Sequence, residues 1–139
     1  MDENISSLFI IKNSLLASKL SKRAGNRLSV HGISLTEYIV MHCLSNDLRQ
    51  EVSRIELADQ LGMSASGVTR LLIPMEKNNI IEKVKNPRDS RQSLVKLSAT
   101  GKRVFEEARD SFSHIASELT SNLNQSQLEK LVELYAKVI

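Results

Sequence analysis

Two short apolar runs, IIEKVK at 80–85 and SLVKLS at 93–98, flank the charged segment NPRDSRQ at 86–92, in a chain whose other apolar residues recur at helical spacing. Proline at 87 fixes its own φ, lacks a backbone donor and biases Asn86 toward extended backbone, so no helix passes through this stretch. Two β-rich runs around such a turn predict a hairpin, with strands near 81–85 and 93–97. A uniform helical bundle is therefore excluded, and the hairpin must stand on otherwise helical protein.

The helix starts are well punctuated. Ser34 with Glu37, and Ser53 with Glu56, give the Ser-x-x-Glu capping box, in which two side chains satisfy orphan backbone N–H groups. Asn124 with Gln127 is a looser version, and Ser64 and Ser98 are further N-caps. Helices are expected near 4–28, 35–46, 54–61, 65–78, 99–122 and 125–137. The fold class is thus mainly α.

At 139 residues, 41% of them hydrophobic, the chain is long enough to bury a core without disulfides, and a lone cysteine, Cys43, forms none within the chain. A reducing, cytoplasmic setting is the simplest expectation. Apolar runs such as LFII and YIVM fall far short of the ~20 residues of a membrane helix. The opening MDENISSLF has no basic start, so neither a membrane partner nor a secretory leader is expected. No Ser/His/Asp arrangement, phosphate-cradling glycine loop or His-Cys spacing appears, so neither an enzyme nor a cofactor is expected, and no metal site is assigned.

Charge is informative through its distribution. Residues 77–103 carry eight basic side chains against two acidic, whereas 104–139 carry three against six. A concentrated positive segment suggests a polyanion partner. Immediately before it, SRIELADQLGMSASGVTRLLIPMEKNN at 53–79 reads as a capped helix, a turn at Gly62 and a second helix, the form of a helix-turn-helix. On the second helix Val68, Leu71, Leu72 and Met75 share one face. Ser66, Arg70, Ile73 and Lys77 lie opposite, with Thr69 at the edge. Small hydroxyls suit close approach to a groove, and arginine reaches guanine O6 and N7 or a phosphate. The hairpin then reads as a wing with Arg88 and Arg91 at its tip, suited to a narrow minor groove. Asp89 is assigned to bracing that tip. The alternative is a winged-helix module that binds DNA without sequence preference as an architectural factor, or binds another protein.

The order of elements and the string NPRDSRQSLVKLSATGK resemble the MarR family of winged-helix transcriptional regulators, through Asn86, Pro87, Asp89, Arg91, Leu94, Leu97, Ser98 and Gly101. ELADQLGMSASGVTRLL and MEKNNII resemble the family's recognition-helix region, and the likeness spans about 33–104. It implies a winged helix-turn-helix DNA-binding lobe at 33–101 and a helical dimerisation domain built from both termini, 1–32 and 102–139. It also implies a homodimer on double-stranded DNA, most simply a ligand-responsive repressor at an inverted-repeat operator. Arg91 is then the minor-groove residue, and Ser64, Ser66, Thr69 and Arg70 are the recognition-helix contacts. Two features depart from the pattern. Asn78-Asn79 stands where many relatives have glycine, and Pro74 interrupts the recognition helix, where a bend is expected.

Both ends carry apolar rows. Phe105, Ala108, Phe112, Ile115 and Leu119 are spaced 3-4-3-4, and Leu128, Leu131, Val132 and Tyr135 form a second row. They read either as packing on their own chain or as a dimer seam, to which Leu8, Phe9, Leu119, Leu131 and Tyr135 are assigned. For a small-molecule effector, Tyr38, Met41 and His42 are the wall residues considered. Cys43 reads as a core residue rather than a redox switch. Asp110, His114 and Glu118 form a polar stripe that could bind a divalent ion, with His42 as a further ligand, but that reading is not adopted.

Overall fold

The computed structural model describes residues 4–139; the first three residues of the expected amino-terminal unit, and of the acidic opening, lie outside it. Six α-helices and a three-stranded antiparallel sheet form. The helices are α1 (Ile5–Leu28), α2 (Leu35–Asn46), α3 (Arg54–Leu61), α4 (Ala65–Lys77), α5 (Ala99–Leu119) and α6 (Gln125–Tyr135). The strands are β1 (Val52–Ser53), β2 (Ile81–Lys85) and β3 (Ser93–Leu97), in the spatial order β1-β3-β2. The mainly α, winged helix-turn-helix class follows from this order.

Side-chain caps set the helix starts. Ser34 and Glu37 make the full reciprocal box, as do Asn124 and Gln127. Ser53 caps α3 by accepting from the Glu56 N–H, but Glu56 meets the Ser53 hydroxyl rather than closing the box on the backbone. The Ser53 backbone instead belongs to β1, paired with Leu94.

Helix α4 continues through Pro74 to Lys77. Its end is a Schellman turn: Asn79 takes φ 62°, its N–H bonds the Glu76 carbonyl, and the Ile80 N–H bonds that of Met75. Asparagine thus takes the left-handed position that glycine adopts most easily. Gly62 (φ 64°) ends α3 in the same way and makes the turn of the helix-turn-helix.

One core joins the elements. Leu57, Val68, Leu72 and Met75 of α3 and α4 pack on Ile81, Val95 and Leu97 of the sheet and on Val40, Met41 and Leu44 of α2. Phe105, Ala108 and Ile115 of α5 extend this core to Ala24 and Leu28 of α1. The 3-4-3-4 row of α5 therefore faces its own chain, with Phe112 and Leu119 half-buried against the same core. No residue of α6 is buried.

Candidate nucleic-acid interface

Helix α4 and the β2–β3 hairpin present their polar sides from one lobe. On α4, Ser66, Arg70 and Lys77 are exposed, and Arg70 and Lys77 make no ion pair among the described residues. Ser64 is exposed but acts as the N-cap, accepting from the Gly67 N–H at 3.1 Å, with its hydroxyl 3.3 Å from that of Ser66. Thr69 is half-buried; its hydroxyl donates to the Ala65 carbonyl and accepts from the Arg54 guanidinium, both at 3.1 Å. Ser66 and Arg70 are therefore the groups most available to a ligand, while Thr69 holds a neighbour in place. Ile73 is 57% exposed and lines a small hollow with Arg54, Thr69 and Lys83.

That neighbour, Arg54, was not singled out from sequence. It is the first residue of α3, where the helix dipole disfavours a cation. This local conflict is the one sequence signal that could have flagged it.

The wing tip is fixed by its own side chains. Asn86 Oδ1 accepts from the Arg88 N–H at 2.9 Å, and Asp89 Oδ1 from the Arg91 N–H at 3.0 Å. These are two successive Asx turns, closed by Asn86 N–H to the Gln92 carbonyl. The same Asp89 oxygen lies 3.4 Å from Arg91 Nε, while the Arg91 side chain is 91% exposed. Arg88 is exposed as well. Lys83, Lys96 and Arg91 are partly neutralised by Glu76, Glu82 and Asp89, which leaves Arg70, Lys77, Lys85 and Arg88 of α4 and the hairpin without an ion pair among the described residues.

The proposed effector wall does not assemble. Tyr38 and Met41 lie in the core, Tyr38 stacked on Phe105 and Phe112 at 5.3 and 4.4 Å. Burial pushes the Tyr38 hydroxyl up, against the opposing pull of Arg109. His42 is exposed and bonds Asn46 instead. Among the described residues no three His, Cys, Asp or Glu side chains converge as metal ligands; His114 pairs with Glu118, which also binds Arg27. Nor is any helix long and apolar enough to cross a membrane.

Cys43 is half-buried, and burial pushes its thiol up, leaving less thiolate at neutral pH. Its reaction with a thiol reagent at pH 7.5 should be at least tenfold slower in the folded protein than in urea. Equal rates would mean an open, reactive thiol.

On the opposite flank, α1 and α6 keep large apolar side chains in solvent. Ile5 is 79% and Val132 71% exposed, and Phe9, Ile10, Leu15, Leu16, Leu131 and Leu134 are exposed beside them. Leu8 and Tyr135 are half-buried, with the Tyr135 ring 6.1 Å from Phe9 and its hydroxyl donating to Asn13 at 2.5 Å. Of the residues assigned to a dimer, Leu119 alone packs against this chain's own core.

Comparison with known proteins agrees with this architecture. The family model described as "MarR family" matches residues 33–93. The chain is 23% identical over 117 residues to the HTH-type transcriptional regulator SarZ of Staphylococcus epidermidis, covering 84% of this chain and 76% of that one. Among solved structures, a mutant of MarR from E. coli complexed with operator DNA superposes with TM-score 0.81 at 23% identity, over 99% of both chains. The S. aureus MepR–DNA complex does so with TM-score 0.80 at 18% identity, over 99% of this chain and 97% of that one. With the family model on its helix-turn-helix and wing tip, and the fold of these solved structures along nearly its whole length, this chain is similar to the MarR family over residues 33–93 and has the winged helix-turn-helix fold.

Proposed function

We propose that this chain is a MarR-family transcriptional regulator, a homodimeric repressor that reads an inverted-repeat operator in double-stranded DNA and is released by a small effector. The observation that carries the reading is the pairing, in one lobe, of the Ser66/Arg70/Lys77 face of α4 with an exposed Arg91 on a self-braced wing tip. Helix α4 would enter the major groove, with Arg70 contacting a base edge or phosphate and Ser66 allowing close approach. Arg91 would enter the neighbouring minor groove and Arg88 and Lys77 would meet phosphates. Asp89 would brace the tip, and Ser64 and Thr69 would set the helix start and the Arg54 position. The E. coli and S. aureus relatives solved on DNA support the same partner.

Dimerisation is supported by the uncovered apolar face of α1 and α6, which exceeds what a monomer leaves in water without a reason. Sedimentation should give twice the 15.6 kDa chain mass. Phe9→Glu with Leu131→Glu should shift it to a single chain and weaken operator binding at least tenfold. Leu119 is a poor probe, because a charge there would also disrupt the core. A wild-type chain that sediments as a monomer at micromolar concentration would sink the dimer reading. The groove assignment itself is tested by salt: affinity for a selected site should fall with added salt yet resist competition by random duplex.

A further inference from the structure

Arg54 stands where α3, α4 and β2 meet, on a small hollow that it lines with Thr69, Leu72, Ile73, Glu76 and Lys83. Its Nη1 donates to the Thr69 hydroxyl at 3.1 Å, and that hydroxyl donates onward to the Ala65 carbonyl, so the guanidinium is tied to the body of α4. Folding gives little reason for a cation here. Arg54 is the first residue of α3, where the helix dipole opposes positive charge. Glu76, the carboxylate on the hollow, lies 3.9 Å from Lys83 instead, and Arg54 makes no ion pair among the described residues. The residue stays exposed, with the rest of its donor fork unused among the described residues.

We infer that Arg54 contacts a DNA phosphate, and that Thr69 acts through it as a positioning residue rather than as a reader of bases. The contact presupposes the DNA-binding reading above and lies outside both α4 and the wing. Its direction follows from helix geometry. Consecutive helical residues stand about 100° apart, so Thr69 and Arg70 mark opposite edges of the exposed Ser66/Ile73 face. A helix lying in a major groove has a phosphate strand along each edge. Arg54, fastened at the Thr69 edge, is the cation set toward one strand, while Arg70 borders the other. A guanidinium fork matches phosphate oxygens, and such a contact carries no base information. Arg54 thus contributes affinity and register, because its bond to Thr69 fixes where along the strand α4 sits.

The test is fluorescence anisotropy across a salt series with a selected duplex and a random one, on the wild-type chain, Arg54→Gln, Arg54→Lys, Thr69→Val and Arg70→Ala. Arg54→Gln should weaken both duplexes by the same factor, about fivefold or more, and lower the salt slope by about 0.9 per protomer. Its melting temperature should stay level or rise, because a helix N-terminus loses an unfavourable cation. Arg54→Lys, which keeps the charge, should recover most of the slope. Thr69→Val should weaken binding about twofold and add nothing to Arg54→Gln in the double variant. Unchanged affinity in Arg54→Gln, where Arg70→Ala still weakens binding, overturns the phosphate contact and leaves the DNA reading standing. A loss confined to the selected duplex also overturns it, by making Arg54 a base reader. So does a lower melting temperature with an unchanged slope, which would make Arg54 a structural brace. Additive losses in the double variant overturn the role of Thr69. A wild-type chain that binds neither duplex removes the DNA reading, and the Arg54 contact with it.

Discussion

Gly101→Ala is expected to lower the melting temperature by about 10 °C, a loss of about 3 kcal/mol. Gly101 is buried in the first turn of α5, where an added Cβ would lie 2.0 Å from the Ile80 carbonyl oxygen. That oxygen cannot easily yield. It accepts from the Ser98 N–H at 3.0 Å and the Ser98 hydroxyl at 3.1 Å, and the same hydroxyl bonds the Asn79 carbonyl. Ser98 in turn caps α5 through the Gly101 N–H at 2.9 Å. Serine, glycine and the turn after α4 thus form one joint that docks α5 onto the winged-helix lobe. The clash is with backbone rather than a flexible side chain, so relief requires moving α5 or the start of β2. Thermal unfolding by circular dichroism measures the effect; a midpoint within 2 °C of the parent would show that the joint is looser than this geometry.

Arg91→Ala is expected to do the reverse: leave the melting temperature nearly unchanged and weaken specific DNA binding by about 1–3 kcal/mol, roughly tenfold to a hundredfold. The side chain is 91% exposed, and its contact with Asp89 is a surface ion pair of little worth to folding. The tip itself would survive, because the Asx turns use backbone N–H groups that alanine retains. Fluorescence anisotropy with a selected duplex reports the loss. Unchanged affinity would remove the wing from the interface.

Most of the fold could be read from sequence because its signals are local. Pro87 with flanking β-rich runs marks the hairpin, and serine and asparagine caps mark each helix start within a residue or so. Asn79 could be read as a left-handed cap because few residues other than glycine tolerate that backbone. Features set by tertiary contact were less legible. Strand β1 is two residues long and exists only through pairing with β3. The MarR-like glycine at 101 could be recognised, but its reason, the Ile80 carbonyl, lies far along the chain.

Among candidate site residues, periodicity separated the exposed face of α4 from its core face, since both repeat along one helix. It could not show that Thr69 is committed to Arg54, or that Tyr38 and Met41 are core rather than cavity wall. Likewise the 3-4-3-4 row on α5 carries the same signature whether it meets a partner or its own chain. Only the packing of Phe105, Ala108 and Ile115 onto α1 and α2 decides it, and that moves the uncovered apolar surface to α1 and α6.

In the proposed function, α4 and the wing read sequence as a symmetric pair. Selection from a random-duplex library in moderate salt tests it most directly. Enrichment of an inverted repeat with half-sites about one helical turn apart, roughly 10 base pairs, is the expected result. Recovery of duplex without any enriched sequence, or of none at all, would contradict it.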